Sequence, residues 1–234
     1  TIGAGRVIQK DRARLDEEID DGSFARNAVL RRALKRADTE HRPVHLIGLA
    51  GHGGVHGHSE HLRALLPLAV QLGVQELSIH AITDGRDAPP QQAAQELARI
   101  RHWCSELSSG TITSIVGRAF AMDRDEHWDR TQRAYQLYTE PSTQPARSAL
   151  AAISAAYAAG QTDEFIEPIW LDPARPPIRS GDLVIGWNFR PDRSRQLFDA
   201  LANSAFQGFR RTRLDPLTVV TLTAYWPDRF HANI

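Results

Sequence analysis

The sequence predicts an α/β fold, a mainly parallel sheet with helices on both faces in a three-layer αβα arrangement, built as a single domain. Three observations carry this expectation. Short apolar runs such as VHLIGLA (44–50) lack polar alternation and are bounded by glycine, as expected of strands covered on both faces. Four such runs break into a polar loop and then a helix-like segment, an order that favours parallel pairing through crossovers. Finally, 234 residues are enough for one large α/β domain with a proper core.

Each element follows in order. The opening TIGAGRVIQK has Gly3 and Gly5 but no preceding strand and no third glycine at the dinucleotide spacing, so residues 1–10 read as a linker. Residues 25–37 place Ala25, Val29, Leu30 and Leu34 on a helical stripe. After the first strand, Ser59 is the expected N-cap of HLRALLPLAVQL, with Pro67 bending its middle and Gly73 at its C′ position. ELSIHAIT (76–83) is the second strand. Pro89 and Pro90 suit the first turn of the next helix, QQAAQELARIRHWCSEL, because that turn leaves amides unpaired. TITSIVG (111–117) is the third strand, and EHWDRTQRAYQLY follows as a helix with Trp128, Ala134, Tyr135 and Tyr138 as apolar contacts. The Ala-rich stretch 146–160 is helical by propensity, while Pro168 to Arg179 forms an irregular excursion or short edge segment. DLVIGWNF (182–189) is a strand, Pro191 to Asn203 its helix, and LTVVTLTAY (217–225) a fifth apolar strand.

Composition narrows the function. The 28 basic and 28 acidic residues balance, so neither nucleic acid nor an anionic membrane is an expected partner. Lys10 and Lys35 are the only lysines, so the positive charge is almost all arginine. Cys104, the single cysteine, reads as a buried spectator in a reducing compartment. No apolar stretch approaches a bilayer span and no signal-peptide layout opens the chain, so a cytoplasmic, soluble protein is expected. It is also expected to be a monomer.

The chemistry concentrates in four strand-to-helix loops: GHGGVHGH (51–58), DGRD (84–87), GRAFAMDRD (117–125) and NFRPDR (188–193). Ligands of open α/β sheets bind where such loops gather. Arginine in three of the four implies a small, strongly anionic ligand, because a guanidinium fork matches carboxylate and phosphate oxygens. A phosphorylated acid is the first expectation. Within the first loop, His52, His56, His58 and His61 raise the possibility of a metal. The glycines around them suggest instead a backbone approaching a ligand closely, with one histidine touching an anion. Anion contact ranks first, metal second and structural histidines close behind. DGRD reads either as a turn with Arg86 and Asp87 paired at the surface or as Arg86 on an anion beside Asp87 at a substrate hydroxyl. Arg118 and Arg124 either converge on one anion or are neutralised by Asp123 or Asp125. Arg190 and Arg193 straddle Pro191, where helix amides would reinforce anion binding.

Together, GGVHGHSEHL, HAITDGRDAPP, GRAFAMDRDEHWDR, TDEFIEP and GDLVIGWNFRPDR resemble the cofactor-independent (2,3-bisphosphoglycerate-independent) phosphoglycerate mutases, in that family's order over nearly the whole chain. The resemblance implies a two-domain glycolytic and gluconeogenic isomerase that interconverts 3-phosphoglycerate and 2-phosphoglycerate. One domain belongs to the alkaline phosphatase superfamily; the other, inserted into it, is the phosphotransferase domain, which this chain resembles over 11–226, with 227–234 starting a return linker. By the same resemblance the substrate-contacting positions fall on His56, Arg86, Asp87, Arg118, Arg124, Arg190 and Arg193, with Asp87 the candidate for proton exchange. The nucleophilic serine and two Mn2+ ions belong to the phosphatase-like domain, which is missing here. This chain is expected to hold no metal and to be inactive alone. The pattern departs from the family at Gly51, His52 and Gly186-Trp187. Two other readings compete: a phosphometabolite-binding module without catalysis, and a metal-dependent hydrolase using the histidine cluster.

Overall fold

The computed structural model describes residues 10–140, 146 and 148–226. It contains the expected α/β domain: a six-stranded sheet in the order β4-β3-β2-β1-β5-β6 with helices on both faces. The strands are β1 (Val44–Ala50), β2 (Leu77–Thr83), β3 (Thr111–Gly117), β4 (Ile169–Trp170), β5 (Leu183–Gly186) and β6 (Thr218–Thr221). All pairings are parallel except β3 with β4, where the proline-rich stretch contributes a two-residue antiparallel edge. The helices are α1 (Asp11–Asp20), α2 (Ser23–Arg26), α3 (Ala28–Thr39), α4 (Ser59–Gln71), α5 (Ala93–Glu106), α6 (Arg118–Ala121), α7 (Trp128–Thr139), α8 (Ala149–Ala158) and α9 (Arg195–Ala202).

Alternation along each strand divides the core in two. Leu46, Ile79, Ile115 and Ile185 face α1–α5 and α8, whereas Ile47, Ile82, Val116 and Val184 face α6, α7 and α9. β1 and β2 are buried at every position, so they are mainly apolar, and the polar residues they carry, His45, Ser78, His80 and Thr83, are buried as well, with His45 and His80 facing each other at 3.0 Å. Gly48 leaves room for Trp187: a Cβ there would stand 2.5 Å from the indole ring, whose Nε1 donates to the Leu49 carbonyl at 3.0 Å.

Several helix starts differ from the sequence expectation. α1 and α2 precede the first helical stripe that the sequence displays, and α1 shows no stripe of its own because it buries only Leu15. α3 begins at Ala28, since the Asn27 side chain accepts from the amides of Val29 and Leu30, and Ala25 is exposed before it. His58, not Ser59, caps α4; the Ser59 hydroxyl instead accepts from the Gly51 amide at 2.9 Å, closing the first loop on itself. Gly73 follows α4 with φ +90°, as a C′ glycine should. Pro89 and Pro90 precede α5 rather than entering it, because the Asp163 carboxylate takes the amides of Gln92 and Ala93 at 2.7 and 2.8 Å. Pro191 likewise starts a turn ahead of α9. The linker assignments at 1–9 and 227–234 lie outside the described residues, while Lys10 is the N-cap of α1.

Candidate functional site

The carboxyl ends of β1, β2, β3 and β5 deliver the four polar loops to one edge of the sheet. At the end of β2, the buried Asp84 accepts from the amides of Arg86 (3.2 Å) and Asp87 (3.0 Å), folding DGRD into an Asx-type turn. Gly85 completes the turn at φ +69°. The same Asp84 oxygen accepts from Arg118 at 2.6 Å, and Arg118 also donates to Asp87 Oδ2 at 2.6 Å. Arg118 is the first residue of α6, so the ends of β2 and β3 are tied by one guanidinium. Burial pushes the Asp87 carboxyl up, but the hydrogen bond and charge of Arg118, with His56 and Arg193, outweigh it and hold the group below the usual carboxylate range.

A strap over 163–166 crosses these strand ends. Thr83 Oγ1 donates to the Asp163 carbonyl at 2.6 Å, and the Gly117 amide donates to Ile166 at 2.7 Å. A Cβ on Gly85 or Gly117 would run into the backbone of Glu164, so both positions require glycine. The strap brings Glu164 to 3.6 Å from Arg86, which is half-exposed. The surface pairing considered for DGRD is therefore replaced: Arg86 faces Glu164, and Asp87 faces Arg118.

The first and last loops are stitched together. The His56 carbonyl accepts from the amides of Phe189 (2.9 Å) and Arg190 (3.1 Å), and the Asn188 side chain accepts from Leu49 at 2.9 Å. The buried His56 sits between two carboxylates, with Nε2 3.8 Å from Asp87 Oδ2 and Nδ1 3.2 Å from Asp192 Oδ1. Burial lowers its pKa to about 4, helped by Arg118 and opposed by Asp192, so the ring is neutral at neutral pH. Asp192 also pairs with Arg124 (2.8 Å) and Arg190 (3.0 Å). Thus Arg118 and Arg124 are neutralised by carboxylates of other loops, not by Asp123 or Asp125.

Arg193 differs from the other site arginines. Its guanidinium donates to the Met122 carbonyl at 3.3 Å, and among the described residues it has no carboxylate within ion-pair distance. Burial, then the charges of Arg124, Arg118 and Arg86, pull its pKa down. Arg86, Arg118 and Arg193 line a cavity of about 260 Å3 together with Met122, Glu164 and Phe165. A larger cavity of about 650 Å3 lies by the start of β3, near Cys104 and Asp172, and contains none of these groups. At the start of α9, the amides of Ser194 and Arg195 both donate to the Pro191 carbonyl.

Three of the four loop histidines stay together, with the rings of His52 and His58 4.9 Å apart and those of His58 and His61 5.9 Å apart, but their nitrogens take different partners. His52 turns to Glu96 (2.8 Å), His61 to Asp16 (2.9 Å), and His58 caps α4. Among the described residues, ligand atoms that lie within 4.8 Å of one another belong to Asp123, Asp125 and His127. Asp123 there accepts from the amides of Asp125 and His127 and from Gln196, each at 3.0 Å, which is the work of a loop staple ahead of α7. Sequence reasoning passed over Asp84, Asp192 and Glu164, although all three lie inside quoted motifs. An aspartate two and three residues before the amides it caps was the available signal for Asp84.

Comparison with known proteins adds an independent line. Residues 15–227 match the family described as BPG-independent PGAM N-terminus. The 2,3-bisphosphoglycerate-independent phosphoglycerate mutase of Synechocystis sp. is 44% identical over 97% of this chain and 42% of its own length. That of Symbiobacterium thermophilum is 44% identical over 96% of this chain and 44% of its length. A crystal structure of Leishmania mexicana phosphoglycerate mutase at low cobalt concentration is similar with a TM-score of 0.86 at 27% identity, covering 94% of this chain and 42% of that one. The chain therefore spans less than half the length of the relatives it matches.

Proposed function

The chain belongs to the BPG-independent PGAM N-terminus family, and from that premise we propose that it is the phosphoglycerate-binding phosphotransferase domain of a mutase interconverting 3-phosphoglycerate and 2-phosphoglycerate. The observation that carries this reading is Arg193, a guanidinium without a carboxylate partner, set in a cavity wall with Arg86 and Arg118. Arg124 and Arg190 stand across Asp192 from His56. A ligand with a phosphate at one end and a carboxylate at the other suits such a wall, because each anionic group accepts a forked pair of N–H donors. His56, Arg86, Asp87, Arg118, Arg124, Arg190 and Arg193 are the proposed contacts.

In this reading the domain covers 11–226 and works with a phosphatase-like domain outside the chain. A serine of that domain takes the phosphoryl group, and the glycerate is retained here, reorients and receives it on its other hydroxyl. Positioning and charge neutralisation dominate such transfers. Asp87 exchanges a proton with the glycerate hydroxyl; its carboxylate is ionised beside Arg118 and has one oxygen near His56 Nε2. By the family resemblance, two Mn2+ ions would be held by the partner domain and would supply Lewis-acid and nucleophile-activating chemistry there. The protein acts as a cytoplasmic monomer in glycolysis and gluconeogenesis, and these 234 residues alone do not turn over.

Calorimetric titration of 3-phosphoglycerate into the chain tests the binding half. Saturable binding that is lost in Arg193→Met supports it, and no heat at millimolar ligand counts against an autonomous site. Mutase assays with the flanking halves supplied, with manganese, test the rest; robust turnover by the isolated chain overturns the division of labour. Binding that persists when the reunited protein shows no turnover would favour the module without catalysis.

A further inference from the structure

Asp192 lies inside NFRPDR, yet neither the motif reading nor the family resemblance gives it a task. Its Oδ1 is buried and makes no well-directed hydrogen bond, and the same is true of His56 Nδ1, 3.2 Å away. With Asp192 ionised between Arg124 and Arg190, the two buried atoms favour one protonation pattern of the ring. A proton on Nδ1 is attracted by a carboxylate oxygen 3.2 Å away even where the angle is poor, whereas a lone pair on Nδ1 would oppose it.

The other face of the ring leads to the same pattern. Asp87 Oδ2 stands 3.8 Å from Nε2, beyond hydrogen-bond distance, and is already engaged by Arg118 at 2.6 Å. Of the two carboxylates flanking the imidazole, Asp192 is thus the nearer, and it is held in place by Arg124 and Arg190. We propose that Asp192 is a positioning residue that fixes His56 as the Nδ1–H tautomer, so that Nε2 offers a lone pair across the gap to Asp87, where it accepts a hydrogen bond from a ligand hydroxyl. That last element rests on the phosphoglycerate reading; the tautomer does not. The neutral state required for it agrees with the depressed basicity of the buried ring. Asp87 and His56 then present two acceptors, of which the single proton of a hydroxyl engages one at a time, and Asp192 sets the direction of one.

Nitrogen-detected NMR of the 15N-labelled chain at neutral pH reads the tautomer directly. The expected wild-type signature is a protonated Nδ1 and an unprotonated Nε2 for His56. Asp192→Ala should abolish that preference, and Asp192→Asn should restore it, because a carboxamide oxygen accepts the same N–H. A wild-type His56 carrying its proton on Nε2, or an unchanged signature in Asp192→Ala, overturns the assignment. The wild-type spectrum alone decides whether the tautomer exists, even where a variant fails to fold. Saturation with 3-phosphoglycerate should then shift the Nε2 resonance. The Nδ1–H tautomer with no Nε2 response to bound ligand refutes the hydroxyl contact, whereas the tautomer with no binding at all counts against an autonomous phosphoglycerate site and leaves the role of Asp192 intact.

Discussion

Arg118 and Asp84 form an ion pair of 2.6 Å in which both side chains are nearly wholly buried, at 2% and 3% exposure. Removing one member strands the other in a poorly solvated place. Arg118→Met is expected to destabilise the chain by about 3–5 kcal/mol, because a buried carboxylate is left without its cation. Urea unfolding of the variant against wild type checks this, and a loss under about 1 kcal/mol would mean that Asp84 finds water or a new partner.

Arg124 gives the contrasting case. Its pair with Asp192 is partly exposed, at 44% and 25%, so Arg124→Met should change stability by no more than about 1 kcal/mol. Affinity for 3-phosphoglycerate should fall nonetheless. Parallel unfolding and calorimetry separate the two effects; equal losses in both would make Arg124 a structural residue.

Gly117 meets the strap so closely that a Cβ would overlap the Glu164 carbonyl and stand 2.7 Å from the Ile166 amide. Gly117→Ala is therefore expected to cost about 1–3 kcal/mol as overpacking. Because the strap carries Glu164 and Phe165 to the cavity, the variant should also bind ligand less tightly. Wild-type affinity in a destabilised Gly117→Ala would show that the cavity tolerates strap movement.

Stability should decline as the solution is acidified. His56 and His58 are lowered to about 4 by burial first, and His61 and His80 are lowered too, so each takes up its proton more readily when the chain is unfolded. Such groups stabilise the fold above the unfolded value of 6.5, and that contribution is lost as pH falls from there through about 4. Urea midpoints at pH 5, 6, 7 and 8 should drop mainly below 6.5. A flat profile between pH 7 and 5 would show that the imidazoles charge within the native state at little cost.

Cys104 is buried and its thiol is pushed up to about 11 by burial. The thiolate is the reactive form, so a disulfide reagent at pH 8 should modify the native chain far more slowly than the urea-unfolded one. Equal rates would reveal frequent opening of α5.

How much of this was legible in sequence depended on what each feature rests upon. β1, β2 and β3 stood out as short, mainly apolar runs that each end at a polar loop, although buried His45, Ser78, His80, Thr113 and Ser114 interrupt them. α1 did not, since one buried leucine in DRARLDEEID leaves no stripe to read. The helix caps failed where a long-range bond won: Ser59 serves Gly51, and Asp163 serves the start of α5 from 70 residues away. In the site, arginines at strand ends announced themselves by type and place. Their carboxylates did not, because Asp84 and Asp192 choose partners across loops that only the folded sheet brings near.

Those carboxylates change what five arginines amount to. Asp84, Asp87, Asp192 and Glu164 face Arg86, Arg118, Arg124 and Arg190, leaving Arg193 as the uncancelled charge among them. Seen from bulk solvent the cleft is close to electroneutral, so it draws passing chloride or sulfate only weakly and its occupancy should vary little with ionic strength. Discrimination is thereby deferred to contact, where only a molecule bearing two anionic groups at the right separation can trade places with the protein's own acids.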